Sequence, residues 1–256
     1  MWNAITRAIS SSIDRCELSH IARTSIDVAL ARTQHRDYLR ALESVGCRVI
    51  VLPEEPELPD SVFVEDAAIV LDEMAVLTRP GAASRRPEVI SVADALRHHR
   101  PLETIEEPGT LDGGDVLRIG RTLYVGQSAR SNPAGIAQLR ELLAVRGYAV
   151  EGVTTRHCLH LKSAVTALSD DCVLLQPDWV DRGRFADFRI IEVDPGEAHA
   201  ANVLRIDDAL IMPASFPRTQ QRLLDAGFMV TVVDVSELQK AEGAVTCCSL
   251  LFRTGA

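Results

Sequence analysis

Two side chains stand out as a nucleophile and its base. Cys247 lies in the run Glu242-Gly-Ala-Val-Thr-Cys-Cys-Ser-Leu-Leu near the carboxyl end, and His160 lies 87 residues upstream in Leu159-His-Leu-Lys162. A thiol attacks well only as the thiolate, and a nearby imidazole both favours that form and shuttles protons. Asp60, Glu65, Asp66 and Asp112 add carboxylates on segments that read as strand ends or the loops after them. Carboxylates hold and orient positive charge. A thiol, an imidazole and several carboxylates therefore point to attack on a cationic carbon, as in a guanidinium, rather than on a neutral carbonyl.

Each of these residues also has a duller reading. A histidine between leucines is often a packing residue. If the run around Cys247 is a strand, Cys248 faces the other way, and the residues alone do not choose between the two thiols. His157, Cys158 and His160 have a spacing that suggests zinc, but on a strand 157 and 160 face opposite sides and no second ligand pair follows. Gly113-Gly114 lacks the surrounding pattern of a phosphate loop and reads instead as a tight backbone turn beside Asp112. His98-His99 reads as solvated surface and Asp207-Asp208 as a hairpin turn. Arg85-Arg86 is either a charged loop or an anion site.

Composition limits the partners. The net charge is −9, without the basic footprint of a nucleic-acid binder and unfavourable for anionic membranes. No apolar run reaches bilayer length, and the first residues are too polar for a signal peptide. A cytoplasmic protein with reduced thiols is expected, its six cysteines forming no CxxC pair.

The elements that must position these groups recur. Ala67–Leu71 with Met74–Thr78, Asp115–Ile119 with Thr122–Val125, Ala164–Leu168 with Cys172–Leu175, and Asn202–Ile206 with Ala209–Met212 are short apolar runs joined by polar turns, the signature of hairpins. Asp115-Val-Leu-Arg-Ile and Asn202-Val-Leu-Arg-Ile are near copies, and the spacing of about 40 to 50 residues suits a repeat architecture. Helical patterns run from Ile26 to Val45, from Pro133 towards Gly147, and from Arg218 to Ala226, each followed by a β-rich run. The unit is hairpin, helix, strand. Pairing Cys247–Phe252 with Ala4–Ile9 would complete a fifth unit and close a ring without sheet edges. An open α/β sheet is the alternative.

The stretches Asp60-Ser-Val-Phe-Val-Glu-Asp66, Thr110-Leu-Asp-Gly-Gly-Asp-Val116, Gly126-Gln-Ser-Ala-Arg-Ser-Asn132, Leu159-His-Leu-Lys162, Ala200-Ala-Asn-Val203 and Thr246-Cys-Cys-Ser-Leu250, in this order, resemble the dimethylarginine dimethylaminohydrolases of the guanidino-modifying (pentein) superfamily. The resemblance implies one domain over residues 1–256, a five-bladed α/β propeller around a central active site. It implies Cys247 as nucleophile, His160 as general acid and base, and Asp112 where some relatives have Glu. Asp60 and Asp66, with Glu65 beside them, would hold the guanidinium. Arg85 and Arg130 would clamp the α-carboxylate, and backbone groups of Leu18 and Ala241 would meet the α-amino end. Leu18 lies in Glu17-Leu-Ser-His20, which resembles the family's mobile lid.

The implied reaction is hydrolysis of methylated arginine to citrulline and dimethylamine or methylamine through a covalent thiouronium, with no metal or organic cofactor. The implied partner is the small-molecule substrate, with a homodimer open as the assembly. Arginine deiminase chemistry and a non-catalytic sensor of arginine-like ligands are the alternatives.

Overall fold

The computed structural model describes residues 1–254. Strand β1 (Trp2–Arg7) runs parallel to β2 (Cys47–Leu52), with α1 (Val28–Ser44) crossing between them. Asp27 caps α1 by accepting the amides of Ala29 and Leu30, and Ala31, Tyr38, Ala41 and Leu42 form its buried face at helical spacing. Gly46, at φ +88°, ends the helix in the left-handed region that favours glycine, and Gly147 does the same at φ +73° after a later helix.

Four further three-stranded sheets repeat this plan, each with an antiparallel hairpin followed by a parallel third strand. They are β3 (Ala68–Val70), β4 (Ala75–Leu77) and β5 (Leu102–Thr104); β6 (Val116–Ile119), β7 (Thr122–Gln127) and β8 (Ala149–Thr154); β9 (Val165–Ala167), β10 (Cys172–Leu175) and β11 (Arg189–Glu192); and β12 (Leu204–Ile206), β13 (Ala209–Pro213) and β14 (Met229–Val233). Helices α2 (Glu88–Leu96), α3 (Pro133–Ala144) and α5 (Pro217–Asp225) make the crossovers in three of them. The β10–β11 crossover carries the short 3-10 turn Arg182–Phe185 in place of a helix.

Strand β15 (Leu250–Arg253) pairs antiparallel with β1 in the register Trp2↔Arg253 to Ile5↔Leu250, so the two ends of the chain complete one blade. The fold is a five-bladed α/β propeller, and the open-sheet alternative falls away. The inner strands β3, β6, β9, β12 and β15, one from each sheet, together line an axial cavity of about 520 Å³. Among the described residues no helix is long and apolar enough to cross a membrane.

Two sequence expectations shift. The C-terminal strand starts at Leu250 rather than Cys247, because Thr246–Cys248 winds into a 3-10 turn. The N-terminal partner strand stops at Arg7, two residues short of Ile9.

Candidate active site

Glu65, Asp66, Asp112, His160 and Cys247 share one place in the repeat, the turn that enters an inner strand, while Asp60 lies earlier in the loop after β2. Glu65 and Asp66 lie in the 3-10 turn Val64–Ala67 before β3, and Asp112 caps the turn Gly113–Asp115 before β6. His160 precedes the short helix α4 (Leu161–Ala164) that leads into β9, and Cys247 occupies the turn before β15. Asn202 holds the corresponding place before β12. A fivefold arrangement of blades therefore aims all of these turns at one end of the hub.

They meet at a small cavity of about 20 Å³. Asp60, Asp66, Arg85, Arg130, His160, Ala241 and Cys247 all line it, with Glu17, Phe63, Leu159, Glu242 and Gly243. Three expected residues stand apart from its wall. Leu18 packs against the hydrophobic cluster behind Cys247, and its neighbour Glu17 takes the wall position. Asp112 is fully buried behind His160, and Glu65 lines the axial cavity instead.

His160 sits between two carboxylates. Its Nε2 is 3.0 Å from Asp112 Oδ2 and its Nδ1 is 3.9 Å from Asp66 Oδ1. Burial opposes the imidazolium, but the charge of Asp66, the hydrogen bond to Asp112 and the charge of Asp115 outweigh it and raise the imidazole to about 9. Asp112 is itself anchored, its Oδ1 accepting the amide of Gly81 at 2.9 Å. Asp66 Oδ1 accepts the amide of Gly114 at 2.9 Å, and its Oδ2 accepts Arg85 Nη1 at 2.5 Å.

Cys247 behaves in the opposite sense. Burial, followed by the charges of Glu65 and Asp66, pushes its thiol up to about 12. In the resting protein at neutral pH the pair is thus thiol and imidazolium. The turn carrying the thiol is held from several sides. Tyr38 donates to Val245 O at 2.9 Å and shares a 2.7 Å hydrogen bond with Ser249 Oγ. Asn202 accepts the amide of Thr246 and donates to its hydroxyl, which donates in turn to Glu65 at 2.8 Å. Lys162 Nζ reaches the other oxygen of Glu65 at 2.5 Å. Lys162, Thr246 and Asn202 all lie within recognised motifs, but nothing in their spacing foretold this network. Cys248 is buried in the hydrophobic cluster and its thiol donates to Ala244 O, which leaves Cys247 as the thiol on the cavity.

The two arginines differ. Arg85 is forked to Glu88 through Nε and Nη2 (3.1 and 2.8 Å), binds Asp66, and donates from Nη2 to Asp60 O and Phe63 O. Those contacts leave one Nη1 proton uncommitted. Arg130 is the less satisfied of the two. Its Nη1 is buried and makes no hydrogen bond among the described residues, and its Nη2 has a long 3.4 Å contact to Ser19 Oγ. Its one ion-pair contact is long, Nη1 to Asp112 Oδ2 at 3.7 Å, and a buried guanidinium with hydrogen bonds still to give suits an incoming carboxylate.

Gly114 acts by leaving room and not by turning the chain, since its φ is not positive. A Cβ there would lie 2.6 Å from His160 Nδ1 and 2.8 Å from Asp66 Oδ1. Gly114→Ala is expected to displace the imidazole and lower kcat by about a hundredfold, the cost of misplacing a catalytic group by roughly 1 Å. An unchanged kcat in this variant would remove the tight packing from the catalytic picture.

Asp66, Asp112 and His160 also bring ligand atoms within 4.8 Å of one another. Each carboxylate oxygen concerned already accepts an N–H, from Gly114 or His160, and an imidazolium has no lone pair to give a metal.

A closed ring of five sheets, with thiol, imidazolium and carboxylates entering at one end of the hub, defines the guanidino-modifying (pentein) class of propeller. The chain belongs to the dimethylarginine dimethylaminohydrolase family. Residues 5–252 match the family described as N,N dimethylarginine dimethylhydrolase, eukaryotic. It is 37% identical over 244 residues to N(G),N(G)-dimethylarginine dimethylaminohydrolase of Pseudomonas aeruginosa, covering 94% of this chain and 95% of that one. It is 41% identical to the protein of the same name from Streptomyces coelicolor, covering 98% and 96%. The crystal structure of a cysteine-to-serine variant of the Pseudomonas protein complexed with citrulline superposes with a TM-score of 0.93 at 35% identity, covering 98% of each chain. The N-terminal domain of ArgZ, 21% identical with a TM-score of 0.89 over 99% of this chain and 98% of that one, shares the fold.

Proposed function

We propose that the chain hydrolyses Nω-methylated arginines to citrulline and dimethylamine or methylamine. The observation that carries this reading is the meeting of Cys247, His160, Asp60 and Asp66 at one cavity, in a chain 37–41% identical to two proteins named for that activity. The compartment assigned is the cytoplasm, where its free cysteines stay reduced.

Asp60 and Asp66 take the guanidinium. Its positive charge then lies beside the sulfur and offsets the burial and the carboxylates that otherwise hold the thiol protonated, so the thiolate forms with substrate in place and the thiol proton passes to solvent. The thiolate adds to the central carbon, forming the C–S bond and a tetrahedral adduct. His160 protonates the methylated nitrogen, the C–N bond breaks and the amine departs, leaving a thiouronium. Neutral His160 next takes a proton from water, the new C–O bond forms, and collapse of the adduct breaks the C–S bond while the hydroxyl proton passes to solvent, releasing citrulline and thiolate. Asp112 fixes the ring through Nε2 across both halves. Throughout, Arg130 holds the α-carboxylate, Arg85 supplies its one uncommitted proton, and backbone groups of Leu18 and Ala241 meet the α-amino group. Glu65 keeps the Thr246–Lys162 floor in place.

A cavity of about 20 Å³ does not admit an amino acid of this size, so its wall opens for entry, and the moving part is the segment from Glu17 that resembles the family's mobile lid. Glu242 holds that segment shut by accepting the amides of Ser19, His20 and Ile21.

Citrulline release from asymmetric dimethylarginine, monomethylarginine and arginine, assayed side by side, tests the proposal. Citrulline from arginine alone would replace it with a deiminase. Arg130→Ala is expected to raise KM by one to two orders of magnitude, the worth of about 1.5–3 kcal/mol for a charged hydrogen bond, with a smaller change in kcat. An unchanged KM would remove the clamp.

A further inference from the structure

Asp115 is wholly buried, and no step of the proposed reaction uses it. Two other active-site segments nevertheless converge on its carboxylate and tie back to Asp112 on its own segment. Oδ1 accepts the amide of Leu161, the residue directly after His160, at 2.9 Å. Oδ2 accepts the hydroxyls of Ser128 and Ser131 at 2.5 and 2.6 Å. Ser131 Oγ in turn accepts the amide of Asp112 at 3.1 Å, and Ser128 Oγ accepts the amide of Arg130 at 3.0 Å. Gly126 makes the space for this junction, since a Cβ there would lie 2.4 Å from Asp115 Oδ1.

We propose that Asp115 is a positioning residue that locks the segments bearing His160, Asp112 and Arg130 into one frame. This rests on the roles given to those three residues under the proposed function. Every hydrogen-bond partner of the carboxylate is a donor, so the junction is built for the ionised form. Burial pushes Asp115 up to about 6, against the pull of His160 and the two serine hydroxyls. Its charge also adds to those that favour the His160 imidazolium. A purely structural cap would change melting temperature alone. A positioning residue also changes kinetics and the His160 titration.

The test uses the full chain, comparing wild type with Asp115→Asn, Ser131→Ala and Ser128→Ala. It reads kcat and KM for citrulline release from asymmetric dimethylarginine, and the His160 titration by NMR, with the signal assigned by its loss in His160→Gln. Asp115→Asn is expected to lower kcat at least tenfold, raise KM severalfold and move the His160 titration to lower pH. Ser131→Ala is expected to act mainly on kcat, and Ser128→Ala mainly on KM. A folded Asp115→Asn protein with wild-type kcat, KM and His160 titration would overturn the proposal. If that variant does not fold, wild-type kinetics in both serine variants would overturn it equally. The titration needs no turnover. Absence of citrulline from the wild type would therefore count against the proposed function, while the His160 shift still decides the role of Asp115.

Discussion

Cys247→Ser is expected to lose citrulline release by roughly 10⁴-fold or more, the scale seen when a covalent nucleophile is removed. The size of the effect follows from the site itself. Burial, with the charges of Glu65 and Asp66, pushes the thiol up to about 12 against the weaker pull of the Ala244 backbone and Lys162, and the substrate's cation is what brings it down further. A serine hydroxyl starts several pH units higher, beyond the reach of the same cation. The matched control is Cys248→Ser. Cys248 packs in the hydrophobic cluster and donates only to Ala244 O, so this change is expected to cost about 1 kcal/mol of stability and to alter kcat by a few-fold at most. The comparison is made on purified chains of equal circular dichroism. Equal loss in the two variants would mean that the chain cannot tolerate a hydroxyl in this turn, and would remove the assignment of Cys247.

The second large effect is in the pH profile. Free enzyme at neutral pH carries two protons on the pair, one on the thiol and one on the imidazole. The attacking arrangement, thiolate beside imidazolium, carries one. Reaching the transition state from free enzyme therefore releases a proton, and kcat/KM is expected to climb about tenfold per pH unit from neutrality. The climb ends near pH 9, where the free enzyme loses the His160 proton itself and no further release is needed. At saturating substrate the thiolate already exists, so kcat is expected to be flatter over the same range and to fall once the imidazolium that protonates the leaving amine is titrated. A kcat/KM that is level between pH 6 and 8 would show a thiolate preformed in the free protein, contrary to the charges that surround Cys247.

The hairpins could be read from the chain because each is a pair of short apolar runs joined by a polar turn, and the ring followed from four such units once the two chain ends were paired as a fifth. The helices of residues 28–44, 133–144 and 217–225 were likewise legible from apolar spacing and from Pro133, Gly147 and Gly227. What stayed hidden were helix α2, the short third strands β5 and β11, and the 3-10 turns. Three residues make no periodic pattern, so Cys247 and Cys248 read as the start of a strand, and the turns before the inner strands were not recognised as the common seat of the site. The same blind spot covers Asp-Gly-Gly-Asp. Asp112 and Asp115 look alike in sequence, yet one reaches His160 Nε2 and the other turns back to Ser128, Ser131 and the Leu161 amide. Arg85 and Glu88 stand three residues apart, a spacing that forecasts an ion pair, and that pair now occupies much of a side chain expected to face the ligand.

Mass spectrometry of the acid-quenched protein during turnover is the most direct measurement of whether a thiol attacks the guanidinium carbon. The methylated nitrogen leaves before the covalent species accumulates. Asymmetric dimethylarginine and monomethylarginine are therefore expected to give one and the same adduct on Cys247, heavier by arginine less one ammonia. An adduct that keeps its methyl groups, one located on Cys248, or a chain that stays unmodified while citrulline is released would contradict it.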